Sequence, residues 1–186
     1  MYTPSQNAVQ LAERAAAGER FEFLFFFGHR QRSRGRLDSS CLSQWYPLPF
    51  EVDGVTYPTA EHWMMAEKAR LFGDEEARRQ ILASDDPGRA KALGRKVRGF
   101  DTKRWNAHRC DVVHAGNVAK FSAHEHASRY LMNTGRRVLV EASARDGIWG
   151  IGLAESQRSA SNPTKWRGLN LLGFILMDVR RQLGGA

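Results

Sequence analysis

The segment Tyr57–Ala69 places the strongest constraint on how this chain folds. The side chain of Thr59 can accept a hydrogen bond from a first-turn N–H, so the sequence predicts a helix that begins at Thr59 or Ala60. Gly73 is a typical stop for that helix. Asp53-Gly54, shortly before it, favours a type I′ hairpin turn, which fixes the direction in which the chain enters the helix.

Two charged residues of this helix are candidates for chemistry. Seven residues return a helical side chain to nearly the same direction, so Glu61 and Lys68 share one stripe and lie about 10 Å apart along the axis. That separation is too long for a salt bridge and suits a small ligand lying along the helix. Helix surfaces also commonly carry solvated Glu and Lys, and the spacing alone leaves both interpretations open.

Length and composition indicate one domain of ordinary size. The chain has 186 residues, of which 42% are hydrophobic, enough to bury a core without covalent staples. Cys41 and Cys110 are too few for a disulfide scaffold, which favours plain thiols in a reducing compartment. No apolar run reaches the ~18 residues of a membrane span, so we expect a cytoplasmic protein with no membrane partner.

The predicted elements give an α+β fold, a single compact and mostly helical domain with a few short strands. Residues 1–20 are interpreted as an N-terminal helical extension, with a helix over residues 5–17 capped by Ser5, and residues 21–186 as the main domain. The phenylalanine-rich segment 21–27 predicts a first buried strand. The last helix is predicted from about Arg167 to Leu183, apolar on most sides and central to the core.

Net charge is strongly positive. A formal charge of +8 gives a field that attracts phosphates, nucleic acid or an acidic partner. The basic segment Arg30–Arg36 is either a phosphate contact or a solvated insertion. Arg78-Arg79 and Arg180-Arg181 lie in helical contexts and are interpreted as solvated faces.

Common cofactor and metal motifs are not formed. Gly88–Lys96 has neither the glycine spacing nor the preceding strand of a phosphate loop. Gly150-Ile151-Gly152 lacks the third glycine of a dinucleotide fingerprint. His124 and His126 point about 200° apart on a helix, unlike a metal-binding pair. We therefore expect no metal and no cofactor.

A second candidate locus follows the strand predicted at residues 137–142. Asp146 supplies a carboxylate, Trp149 an aromatic face, and Gly150 allows a ligand to approach the backbone closely. Asn170 is predicted to make a polar contact at the start of the last helix. Trp105 and Arg109, four residues apart, share one face of another helix.

These segments follow one another in a recognisable order. Leu42-Ser43-Gln44-Trp45-Tyr46, Tyr57–His62, Asp146–Gly152 and Trp166–Gly173 together resemble the NADAR (YbiA-like) N-glycosidase family, although the chain has Gln44 where that family usually has Asn. The resemblance implies a hydrolase that breaks a bond between ribose C1 and a nitrogen. It further implies catalytic roles for Glu61, Lys68 and Asp146, and substrate binding by Gly28, Ser43, Trp105, Arg109, Lys120, Trp149, Gly150 and Asn170.

Substrate and mechanism stay open at this level. The resemblance implies ADP-ribose attached to guanine in DNA or RNA, or the phosphoribosylamino-pyrimidine intermediates of riboflavin biosynthesis. A non-catalytic binder of ADP-ribose or a nucleotide is the competing class. Either a carboxylate activates water, or Lys68 attacks C1 and forms a Schiff base. The second route needs a partly neutral lysine: burial would lower the pKa of Lys68, and Glu61 would raise it.

Overall fold

The computed structural model describes residues 2–31 and 37–184. Most of the predicted basic segment, residues 32–36, lies outside these ranges. The described residues form seven α-helices and four short strands, which confirms the predicted mostly helical α+β fold class. In chain order the elements are α1 (Ala8–Ala16), β1 (Phe23–Phe26), β2 (Phe50–Val52), β3 (Val55–Tyr57), α2 (Ala60–Leu71), α3 (Glu75–Leu82), α4 (Pro87–Gly94), α5 (Thr102–Ser122), α6 (Glu125–Met132), β4 (Val138–Glu141) and α7 (Leu171–Gln182).

The chain divides into two compact units. The first unit holds Gln44–Glu125 with the residues up to Thr3. Its centre is α2, which packs against α3, α4 and α5. Nine of the twelve residues of α2 are buried, so this helix is a core element and not a surface helix with one apolar stripe.

Turn and cap signals before α2 are confirmed. Strands β2 and β3 pair antiparallel, with Phe50 opposite Tyr57. Asp53 and Gly54 both have positive φ angles, 51° and 75°, as a type I′ turn requires. Thr59 then caps α2 by accepting a hydrogen bond from the backbone N–H of His62.

The contact of α2 with α5 depends on one small residue. The indole N–H of Trp63 donates to the carbonyl of Val112 at 2.7 Å. A Cβ atom on Gly116 would lie only 2.2 Å from the Trp63 ring. Glycine at that position therefore lets the tryptophan ring pack closely against α5.

The second unit holds Pro4–Ser43 and the chain from His126 onward. Here β1 and β4 pair in parallel, from Phe23 opposite Val138 to Phe26 opposite Glu141. Helix α7 packs on β4, and its residues from Leu172 to Arg180 are all buried. This confirms α7 as a core helix.

Two helix starts differ from the sequence prediction. Helix α1 begins at Ala8 with Asn7 as its cap, because Ser5 instead donates its backbone N–H to Asp178 at 2.9 Å. Helix α7 begins at Leu171 and not near Arg167. The backbone N–H groups of residues 169–172 bond to carbonyls of residues 147–150, and this pairing holds the preceding segment out of the helix.

Burial corrects two further predictions. Phe27 was expected in the buried first strand, but β1 ends at Phe26 and the Phe27 side chain is 60% exposed. Arg180 was assigned to a solvated helix face and is only 3% exposed. Within the described residues, no helix has the length and apolar character needed to cross a membrane.

Candidate active site

Glu61 lies in a fixed position at the start of α2. Its backbone N–H donates to the carbonyl of Gln44 at 2.9 Å. The side-chain amide of Gln44 donates in turn to Asn117 on α5 at 3.1 Å. Glu61 is 2% exposed, which excludes the interpretation of a solvated surface charge. Its first-turn position places the carboxylate at the positive end of the helix dipole, where a negative charge is favoured.

Lys68 lies among uncharged groups. Its Nζ donates to the carbonyl of Gly94 at 2.8 Å and lies 4.1 Å from the ring centre of Phe100. The ring centre of Trp105 is 5.7 Å from the same atom. No carboxylate forms an ion pair with Lys68 among the residues that the structure describes. Burial lowers the pKa of Lys68 below its usual range. Of the two opposing effects on this pKa that the sequence suggested, burial and Glu61, the effect of burial is the one found.

A close helix contact supplies the acceptor for Lys68. A Cβ atom on Gly94 would lie 2.1 Å from the sulfur of Met65 and 2.8 Å from its Cγ. Glycine therefore allows the end of α4 to approach α2, and the Gly94 carbonyl reaches the ammonium. Lys68 is thus held in one place by a carbonyl and two aromatic rings.

The predicted binding residues on α5 are not all neighbours. Trp105 is half-buried and lies beside Lys68. Arg109 is also half-buried, one helical turn further along. Lys120 is fully buried with its Nζ 5.0 Å from the ring centre of Phe121. Fifteen residues separate Trp105 from Lys120, about 22 Å along the helix, so a small group that contacts one does not contact the other.

In the second unit, the carboxylate of Asp146 organises a loop. Its Oδ1 accepts the backbone N–H groups of Ile148 at 2.9 Å and Trp149 at 2.8 Å. Trp149 is half-buried. Asp146 therefore holds the loop backbone with one oxygen of its side chain.

Asn170 and Gly150 tie this loop to β4. Asn170 is fully buried in a left-handed conformation, with φ at 51°. Its amide accepts from the N–H of Glu141 at 3.0 Å and donates to the carbonyl of Leu139 at 2.9 Å. A Cβ atom on Gly150 would lie 2.7 Å from the Glu141 carbonyl oxygen. The strand, the loop and the start of α7 thus form one hydrogen-bonded assembly.

Comparison with known proteins decides the family. The NADAR domain family matches residues 25–184. N-glycosidase R617 of Acanthamoeba polyphaga mimivirus is 39% identical over 166 residues, which cover 87% of this chain and 96% of that protein. The chain belongs to the NADAR family. The resemblance inferred from the sequence is confirmed, and α1 lies ahead of the matched region.

Further NADAR relatives agree in sequence and in fold. N-glycosidase YbiA of Escherichia coli is 33% identical over 146 residues, covering 78% of this chain and 81% of YbiA. The NMR structure of YbiA matches with a TM-score of 0.71 at 28% identity, over 89% of this chain and 86% of that one. The chloroplastic riboflavin biosynthesis protein PYRR of Zea mays is 32% identical over 140 residues, 72% of this chain but 21% of PYRR.

A cavity in the second unit of this NADAR protein lies where β1 and β4 end. Its volume is about 780 Å³, and its lining includes Phe27, Ser143 and Arg145. Open parallel sheets commonly bind ligands outside the carboxyl ends of their strands. Gly28, with φ at 78° and no atom near its missing Cβ, follows β1 at the same end. Ser43 is half-buried at the end of the 3₁₀ helix Ser39–Leu42.

Sequence reasoning missed three residues of these surroundings. Phe100 and the Gly94 carbonyl contact Lys68 but are 32 and 26 residues away in the chain, so no helical periodicity links them to it. Phe27 was predicted to be a core residue, because it belongs to the phenylalanine-rich segment 21–27. A weak signal existed for Phe100, since a large apolar side chain between Gly99 and the charged Asp101 is unusual in a solvated turn.

Proposed function

We propose that this NADAR protein removes ADP-ribose attached to guanine in nucleic acid, with Lys68, Glu61 and Asp146 as its catalytic groups. The chain is a hydrolase of N-glycosyl bonds by its family membership. The environment of Lys68 is the observation that supports the catalytic assignment. An amine whose pKa is lowered by burial, with no paired carboxylate among the described residues, is suited to act as a nucleophile.

The proposed reaction passes through the open-chain sugar. Opening of the ribose ring breaks the bond from C1 to the ring oxygen, which takes the proton of the attached nitrogen, and the C1–N bond becomes an imine. Nζ of neutral Lys68 then adds to C1. The two amine hydrogens of Lys68 pass to the guanine nitrogen, which leaves as an amine, and a Schiff base between Lys68 and C1 remains. Water hydrolyses that Schiff base, which releases ADP-ribose and restores the free amine.

The two carboxylates have different proposed roles. Glu61, buried in the first turn of α2, acts as the general acid or base that moves protons to and from the leaving nitrogen and water. Asp146, whose carboxylate accepts two backbone N–H groups, stabilises positive charge that develops at C1. Trp105 offers an aromatic wall for a base. The other residues predicted to bind substrate are proposed to contact its sugar and phosphates: Gly28, Ser43, Arg109, Lys120, Trp149, Gly150 and Asn170.

The charge of the protein supports a nucleic-acid substrate. The net charge of +8 favours a polyanion, and the basic segment Arg30–Arg36 would add a sequence-independent phosphate contact. Neutralising its four arginines should weaken binding of a modified oligonucleotide and flatten its salt dependence, while cleavage of a mononucleotide is unchanged. Equal loss on both substrates would instead assign the segment to the catalytic pocket.

A cytoplasmic location of the protein stays a prediction.

A second candidate substrate has its own support. The similarity to PYRR favours the phosphoribosylamino-pyrimidine intermediates of riboflavin biosynthesis. Both candidates contain a C1–N bond and phosphate, so the proposed chemistry at Lys68 is the same for both. The two candidate substrates differ in their leaving group, and only the first is part of a polymer.

A matched substrate panel tests the proposal. Purified protein is incubated with an oligonucleotide carrying ADP-ribosyl guanine and, separately, with a phosphoribosylamino-pyrimidine, and release of the sugar is followed by mass spectrometry. We expect faster turnover of the oligonucleotide, loss of turnover in Lys68→Met, and normal turnover in Lys103→Arg, an exposed lysine of α5. Turnover of the pyrimidine alone would establish the second candidate. Binding without turnover of either substrate would establish a non-catalytic binder.

A further inference from the structure

A second cavity in the His126-containing unit lies at the opposite end of the parallel strands. It has a volume of about 420 Å³, and its lining includes Phe21, Glu22 and Val138, at the amino ends of β1 and β4. The Asp146 loop follows the carboxyl end of β4. The strand pair thus separates this cavity from the loop that carries the proposed catalytic carboxylate.

Arginines dominate the lining of this cavity. Five of them contribute to it, Arg14, Arg20, Arg136, Arg180 and Arg181, against two glutamates, Glu19 and Glu22. Two of the five have acidic partners: Arg14 donates its Nε to Glu19 at 2.7 Å, and Arg181 pairs with Asp178. The other three form no ion pair among the residues that the structure describes. The cavity therefore has an excess of positive charge.

The buried Arg180 is the decisive member of this group. It is 3% exposed, and its Nη1 donates to the Thr134 hydroxyl at 2.7 Å and to the Arg137 carbonyl at 3.1 Å. Its Nε is buried and has no hydrogen-bond acceptor among the described residues. Burial, and then the neighbouring Arg181 and Arg137, lower the pKa of Arg180.

An arrangement of this kind is costly without an anion. A buried charge is destabilising unless it is paired and hydrogen-bonded, and here the charged groups that shift the pKa of Arg180 are themselves arginines. Thr134 and Arg137 orient the guanidinium from one side and leave its Nε without an acceptor. An oxyanion in the cavity would supply both the missing negative charge and the missing acceptor.

We infer that this cavity binds the phosphate group of a small molecule, held by Arg180 at the base and by Arg20 and Arg136 at the exposed rim. Three arginines without ion pairs favour an anion that carries more than one negative charge. The volume lies within the range of about 300–1,000 Å³ that small-molecule pockets occupy. A nucleic-acid backbone fits less well, because its singly charged phosphates would have to leave the surface to reach the buried Arg180.

Titration with inorganic pyrophosphate tests this site. Binding is measured by calorimetry and located by the backbone amide resonances of Phe21, Glu22 and Val138, which line the cavity. We expect saturable binding to wild-type protein with shifts at these three amides. Arg180→Met should weaken binding by at least about tenfold, as the loss of a hydrogen bond to a charged group predicts. Arg158→Gln, an exposed arginine outside the lining, is the matched control for one lost positive charge and should bind normally.

A second variant covers a failure of Arg180→Met to fold. Arg20→Gln combined with Arg136→Gln changes only exposed side chains and should also weaken pyrophosphate binding at least about tenfold. Unchanged affinity in that double variant, or shifts that do not include the three lining amides, would overturn the inference. The inference would also be overturned, in favour of a nucleic-acid surface, if an unmodified single-stranded oligonucleotide shifted the same amide resonances and bound with higher affinity than pyrophosphate.

Discussion

Lys68 and Asp146 are held in opposite ways. The amine of Lys68 has a carbonyl acceptor and two aromatic rings around it, and a neutral amine can still donate to that carbonyl. Asp146 accepts two backbone N–H groups on one oxygen, and that contact requires an acceptor at this position. The lysine therefore keeps its hydrogen bond when it loses its charge, whereas the aspartate combines any chemical role with a structural one.

This difference predicts how each region responds to substitution. Changes at Lys68 should reduce turnover and spare stability. Changes at Asp146 should affect turnover, stability or both, according to whether the new side chain still accepts a hydrogen bond. The contrast makes the two proposed roles separable by measuring kcat and the free energy of unfolding on the same variants.

The largest effect is expected at Lys68. Lys68→Arg keeps the positive charge but removes the nucleophilic amine, and Lys68→Met removes both, so each should lower kcat by about 10³-fold or more. Thermal unfolding should shift little. Lys103→Arg is the control for a generic lysine change on the protein surface. An arginine variant with full activity would leave Lys68 as an electrostatic contact only.

Amide substitutions of the carboxylates should have the next largest effect. Glu61→Gln and Asp146→Asn should each lower kcat by about 10²-fold, because both lose an ionisable group. Asp146→Asn keeps an oxygen acceptor for Ile148 and Trp149, so its stability should stay close to wild type. Asp146→Ala should cost about 1–3 kcal/mol in the free energy of unfolding, since two amide donors lose their acceptor. Near wild-type rates in both amide variants would remove the carboxylates from the mechanism.

A pair of glycine substitutions compares the rigidity of the two regions. In Gly150→Ala the new Cβ would meet the backbone carbonyl of Glu141 at 2.7 Å, and in Gly94→Ala it would meet the side chain of Met65 at 2.1 Å. A methionine side chain can adjust its rotamer and a hydrogen-bonded strand carbonyl cannot. We expect Gly150→Ala to cost about 3 kcal/mol and Gly94→Ala about 1 kcal/mol in chemical denaturation. The reverse order would contradict the greater rigidity of the Asp146 loop.

The pH dependence of turnover should follow the ionisation of Lys68. The neutral fraction of Lys68 grows as pH rises toward its pKa, so kcat should rise about tenfold per pH unit and level off above that pKa. Because burial lowers the pKa of Lys68, the plateau should begin below the pH at which an ordinary lysine loses its proton. The rise should follow Lys68 and be lost in Lys68→Arg. A flat profile in wild-type protein would mean that the amine is not deprotonated in the reaction.

Local signals made much of the fold predictable. Thr59 as a cap and Asp53-Gly54 as a hairpin turn each act over a few neighbouring residues, and the structure places α2 and the hairpin where these signals indicate. The predicted N-cap of α1 was wrong. Ser5 and Asn7 are equally good caps by type, and the choice depends on a contact from Ser5 to Asp178, 173 residues away.

The surroundings of the candidate site could not be predicted in the same way. Lys68 was selected by its spacing from Glu61 and by family resemblance, but its low pKa depends on burial by residues of α4, α5 and the segment between them. Arg180 shows the same limit, because an Arg-Arg pair near the end of a helix is typical of a solvated face and gives no sign that one of the two is buried. Such long-range packing is not encoded in local periodicity.

The most direct test of the central claim is chemical trapping of the proposed Schiff base. Sodium borohydride is added during turnover of the ADP-ribosylated oligonucleotide, and the protein is analysed by intact mass and peptide mapping. Reduction should fix an ADP-ribosyl adduct on Lys68 of the wild-type protein, and Lys68→Arg should show neither adduct nor turnover. Continued turnover with no adduct, together with an active arginine variant, would contradict nucleophilic catalysis by Lys68 and assign the reaction to direct attack by water.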